Sequence, residues 1–205
     1  MTDFTPTDLQ NENSFQVLLV LGHDDITPFV GEYYWKRRNW LILSHYLITL
    51  ATLAAWVFIG VTQGSDLVRW LVVLGSAVLA FILLVPIHEA IHGIVYWLLG
   101  AKDIRFSVSL REFYAYAIAN QFVADRRELT WIALAPFIIL NTALIIASII
   151  FPDYSFFLLG VLLIHVGGTS GDWAILNFFW VNRDKNVYTY DDADKRKSYF
   201  FQKNN

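Results

Sequence analysis

Leu83-Leu-Val-Pro-Ile-His88-Glu89-Ala-Ile-His92-Gly93 lies inside one of the most apolar runs of the chain, Trp70–Gly100. That run exceeds the ~20 residues a helix needs to cross a hydrocarbon core. Three more runs reach or approach that length: Leu41–Val61, Trp131–Phe151 and Tyr154–Val181. Trp40, Trp70, Trp97, Trp131 and Trp180 stand near their ends, where interfacial anchors belong. Composition agrees. The 205 residues are 56% hydrophobic and only 16% charged, against about 25% charged in soluble domains, and mean hydropathy is +0.45. The expected fold class is an all-α membrane protein of four transmembrane helices with a small cytoplasmic β-hairpin between spans 2 and 3.

The hairpin rests on alternation. Arg105-Phe-Ser-Val-Ser-Leu-Arg111 alternates apolar and polar residues, and Tyr114, Tyr116 and Ile118 then share one parity. Asp125 and Glu128 have the spacing of a capping box opening the third span. The tail reads as a second hairpin, Val187–Tyr190 with Tyr199–Phe201. The expected organisation is a cytoplasmic segment 1–39, a membrane domain 40–182 and a cytoplasmic tail 183–205. Met1–Ser14 is polar and acidic, without the basic-then-apolar order of a signal peptide, and Phe15–Leu21 is too short to span. His23, Asp24 and Asp25 read as a solvated turn.

Of the 15 Lys and Arg residues, only Arg69 falls on the far side of this topology. The others flank spans 1, 2, 3 and 4 on one side, which places both termini in the cytoplasm, with the cell membrane the expected location. A net charge of −3 gives no sign of a nucleic-acid partner, and the absence of cysteine excludes disulfides, Cys-ligated zinc and a cysteine nucleophile. The partners expected are the lipid bilayer and a peptide or membrane-protein substrate. Oligomeric state is not legible.

Glu89 and Asp172 are the formally charged residues inside the spans. Either costs on the order of 2–3 kcal/mol at mid-bilayer, so such residues usually mark function. His88-Glu89-Ala90-Ile91-His92 is H-E-x-x-H. Residues i and i+4 share a helix face, so both imidazoles can reach one cation, and the glutamate between them can hold a water. Neutral imidazole suits Zn2+. The third ligand is chosen by depth. His92 and His88 lie ~12 and ~18 Å from the cytoplasmic end of their span, and Asp172 ~14 Å from the end of its own. His165, ~10 Å from Asp172 along the same helix face, fits packing or support of a ligand better and is the stand-in third ligand. Asn141, ~15 Å deep, is a candidate to orient a group behind the ligands, to donate to an oxyanion, or to hydrogen-bond between helices. Pro86 removes one helical hydrogen bond and frees the Ile82 carbonyl, as a kink would require. Gly167-Gly-Thr-Ser-Gly171 interrupts the fourth span, with Ser170 placed to cap a restarted helix.

H-E-x-x-H-G in span 2, Ala135-Pro136-Phe137 followed by Asn141 in span 3, and Ser170-Gly171-Asp172 in span 4 together resemble the zincin peptidase family known as domain of unknown function 3267. In plan that family resembles the site-2 protease class of intramembrane metalloproteases. The resemblance covers roughly residues 80–182. It implies zinc held by His88 and His92, Glu89 as the catalytic glutamate, Asp172 at the acidic ligand position, and peptide hydrolysis by a zinc-activated water. Site-2 proteases usually carry Leu-Asp-Gly where Ser-Gly-Asp stands here. Two rival readings use the same polar residues: a metal or proton transporter, and a non-catalytic membrane regulator with a vestigial site.

Overall fold

The computed structural model describes residues 4–109 and 114–204. Leu110 and Arg111, expected at the end of the first hairpin strand, lie outside the described residues, as do 1–3 and 205. The chain opens with a short helix α1 (Pro6–Leu9), strand β1 (Phe15–Gly22), helix α2 (Ile26–Val30) and one π-helical stretch, Gly31–Lys36. Three long helices follow: α3 (Trp40–Thr62), α4 (Leu67–Leu98) and, after the hairpin β2 (Ile104–Ser109) and β3 (Tyr114–Ala119) and a short β4 (Ala124–Asp125), α5 (Arg126–Ile150). Helices α6 (Ser155–Gly168) and α7 (Ser170–Val181) precede the tail strands β5 (Val187–Asp192) and β6 (Lys197–Lys203).

Helices α3, α4 and α5 are long and apolar enough to cross a membrane, and α6 with α7 makes a fourth if that bent pair counts as one span. Their starts are set by side chains that satisfy otherwise orphaned amides. Asn39 caps α3 and Asp66 caps α4. At α5 the Asp125 carboxylate accepts from Glu128 N at 2.8 Å, and Glu128 Oε2 accepts from Asp125 N at 3.0 Å, a complete capping box. Helix α6 lies at the centre, packed by α3, α4 and α5. It is buried on several faces through Phe156, Val161, Leu162, His165 and Val166. Gly168 lets α4 approach; a Cβ there would sit 2.7 Å from the Phe81 ring.

Helix α4 runs through Pro86 as one element. One expectation about the fourth span needs correction. In the fourth span the interruption falls at Thr169, and the two halves are bent by 42°. Ser170 is not a cap. It is the first residue of α7, while the Thr169 hydroxyl turns back to the Val166 carbonyl at 2.8 Å.

The chain also holds more sheet than the single hairpin expected. An antiparallel four-stranded sheet runs β1-β6-β5-β4, separate from β2-β3. Its two central strands, β6 and β5, are the tail hairpin. One edge is the Phe15–Gly22 run, which pairs with Lys197–Lys203 across nearly the whole chain. The fold is therefore mostly helical with two small sheets rather than all-α. Adjacent residues on a strand point to opposite faces, so Phe200 enters the core shared with α7 while Phe201 packs with Leu9, Phe15 and Tyr190 on the other face. His23 is buried, not solvated, and its Nδ1 lies 3.0 Å from the Tyr116 hydroxyl on β3. Asp24 pairs with Arg196, and Arg105 with Asp194. The N-terminal segment, the hairpin and the tail thus meet at one end of the helices.

Candidate metal centre

His88 and His92 sit one turn apart on α4, and regular helix is what aims both rings the same way. Asp172 comes from the first turn of α7, just past the break. One ligand atom from each of the three lies within 4.8 Å of the others. His88 Nε2 is 3.1 Å from His92 Nε2, 3.2 Å from Asp172 Oδ2, and His92 Nε2 is 3.3 Å from Asp172 Oδ1.

The outward nitrogens fix what the inward ones can do. His92 Nδ1 lies 2.8 Å from the Ile132 carbonyl, which only accepts, so Nδ1 carries the hydrogen and Nε2 presents a lone pair. Behind His88 runs a chain. Asn141 Oδ1 accepts from His165 Nδ1 at 2.7 Å, leaving His165 Nε2 to accept from His88 Nδ1 at 3.1 Å. His88 Nε2 then also presents a lone pair. With both rings neutral, two imidazole lone pairs and a carboxylate converge at hydrogen-bond distance, a repulsion that a proton or a metal cation between them relieves. The 3.1–3.3 Å separations equal the edge of about 3.3 Å that four-coordinate zinc imposes at bonds of ~2.0–2.1 Å. The donor set fits zinc.

Glu89 is one residue round the helix. Its Oε2 is buried without a hydrogen-bond partner, and the Ala117 amide of β3 lies beside its carboxylate. In its sheet β3 pairs with β2 alone, which leaves its other edge free of a partner strand. The side chains of His88 and Asp172 keep 12% and 19% of their surface open, so the cluster is reachable from outside. The Asn141 amide oxygen is committed to His165 and does not face the cluster directly. His165 is buried on the far nitrogen of His88, away from the converging lone pairs.

Residues 81–187 match domain of unknown function 3267, a family described as "Putative zincin peptidase". The chain belongs to this family. The matched segment contains the histidines of the motif, Glu89, Asn141, His165 and Asp172. No curated protein and no solved structure matches the chain.

Sequence reading of this zincin-family chain overlooked His45. It is wholly buried on α3, bonded at both ring nitrogens and stacked on Trp173, the residue after Asp172. A single histidine in an apolar run carries no spacing signal, and its partner on α6 is a backbone carbonyl.

Proposed function

We propose that the chain is a membrane-embedded zinc metallopeptidase that cuts an extended peptide or membrane-protein substrate on the cytoplasmic side. The observation that carries this reading is the convergence of His88 Nε2, His92 Nε2 and the Asp172 carboxylate, with both imidazole hydrogens held elsewhere. These three side chains hold the metal. Bound zinc supplies Lewis acidity, which activates a water near neutral pH and polarises a scissile carbonyl.

The remaining chemistry belongs to the protein. Glu89, with one oxygen free of partners, takes the proton of the attacking water and returns it to the leaving amine. His165 and Asn141 keep His88 in the tautomer that offers Nε2, a positioning task that commonly accompanies metal-bound histidine. Strand β3 passes beside Glu89, and its free edge offers backbone hydrogen bonds to a strand laid along it, as strand addition needs. Membrane placement is supported by the exposure of large apolar side chains along the helices. Leu83 and Ile149 are 75% and 73% exposed. Such faces are stable against hydrocarbon, not water. The basic residues of the N-terminal segment, hairpin and tail meet at one end, which supports a cytoplasmic site.

The test is cleavage of unfolded peptide libraries and membrane segments by purified protein in detergent or liposomes. Wild type should cut and Glu89→Gln should lose about 10²–10⁴-fold in rate. Equal cleavage by both would remove Glu89 from the mechanism. Metal flux into liposomes without cleavage would favour a transporter.

A further inference from the structure

His45 is a histidine inside an apolar helix, wholly buried, and outside the segment that matches the family. Its Nε2 lies 2.9 Å from the Val166 carbonyl, which only accepts, so Nε2 carries the hydrogen. Its Nδ1 therefore accepts from the Tyr34 hydroxyl at 2.7 Å. Val166 belongs to the last turn of α6, and the same carbonyl takes the Thr169 hydroxyl. The His45 ring also stacks on Trp173, with centroids 4.5 Å apart and planes 24° from parallel. Trp173 is in the first turn of α7 and follows Asp172. His45 thus touches both sides of the break from a third helix.

The partners of His45 are themselves fixed. Tyr46 donates to the Tyr34 carbonyl at 3.0 Å. Farther along α7, Asn177 donates to the carbonyls of Tyr33 and Arg37 at 2.5 and 2.7 Å and accepts from Asn39. One N-terminal segment therefore grips α7 twice. A side chain that bonds the end of one half-helix and stacks on the start of the next constrains their angle. Here that angle decides where the Asp172 carboxylate stands relative to His88 and His92.

We propose that His45 is a positioning residue for Asp172, which wedges the α6–α7 break and so sets the third corner of the metal centre. This inference rests on the metallopeptidase reading. It differs from a packing role because packing would act on stability alone. Trp56 gives the contrast: it also joins α3 to α6, donating to the Phe156 carbonyl at 3.0 Å, but at the opposite end of α6 from the break.

The experiment titrates Co2+ into metal-depleted full-length protein in detergent, reading the visible absorption bands and the apparent Kd. Wild type should bind with the intense bands of a low-symmetry four-coordinate site. His45→Leu should bind about 10- to 100-fold more weakly, with shifted bands. His45→Gln, whose amide can still donate to Val166, should recover most of the affinity. Trp56→Phe should lower the thermal midpoint and leave affinity and bands unchanged. Should His45→Leu not fold, Tyr34→Phe decides, with a smaller shift in the same direction. Wild-type affinity and bands in the decisive variant overturn the proposal, as does an equal change in Trp56→Phe. Failure of the wild type to take up Co2+ has a different meaning: it removes the metal centre itself, and this inference with it.

Discussion

Helix α4 carries a proline and stays whole; the fourth span carries none and breaks at Thr169. The difference lies in what is offered to the backbone. Pro86 withdraws one N–H but brings no side-chain donor of its own to compete for the backbone, and the helix runs on past it. At the break, two successive glycines weaken the helix, and the Thr169 hydroxyl and His45 ring supply alternative donors to Val166. Each outcome suits its ligands. An i, i+4 pair needs regular helix. A third ligand arriving from another span gains from a bend that turns its carboxylate toward the pair.

The strongest way to break this comparison is to spoil the regularity of α4. One alanine inserted after Ala90 would rotate His92 by about 100° relative to His88. Zinc content should fall to background while the apolar helix still inserts. Weaker, and on the supporting chain, His165→Ala should keep the ligand set but lower zinc affinity about 10- to 100-fold by competition with a chelator. Full loss of zinc in His165→Ala with full retention in Asp172→Asn would give His165 the third place.

On the other side of the comparison, Gly168→Ala should destabilise by about 1–3 kcal/mol in thermal unfolding, since its methyl meets the Phe81 ring. Pro86→Ala should raise the midpoint and leave metal uptake alone. A Pro86→Ala variant with disturbed metal uptake would mean that the proline shapes the site after all.

The smallest effect is expected at the rim. Burial, aided by the Arg196 charge, lowers the affinity of the His23 imidazole for a proton. The folded value lies below the unfolded one of about 6.5. The stabilisation is therefore complete above that pH and is lost as pH falls through the folded value. Protection factors of β3 amides, taken relative to the intrinsic exchange rate at each pH, should fall on acidification, and His23→Gln should flatten that dependence.

Much of the helical scaffold was legible because length and hydropathy act locally. The His88–His92 pair was legible because i, i+4 spacing is itself the geometry. Asp172 stood out by its cost in an apolar run. The break was legible from Gly167-Gly-Thr-Ser-Gly171 but was displaced by one residue, since capping by Ser170 and back-bonding by Thr169 look alike in sequence. The pairing of Phe15–Gly22 with the tail was not legible. A strand's partner leaves no mark in its own residues. Asn141 was marked by type and depth, but only the fold shows that its amide turns to His165.

The central claim is that two histidines and one aspartate hold a metal which Glu89 serves but does not bind. Zinc stoichiometry of purified protein tests it most directly, with wild type beside His88→Ala, His92→Ala, Asp172→Asn and Glu89→Gln. The account predicts near-stoichiometric zinc in wild type and Glu89→Gln, and little in the other three. Zinc absent from the wild type, or lost from Glu89→Gln as fully as from His92→Ala, would contradict it.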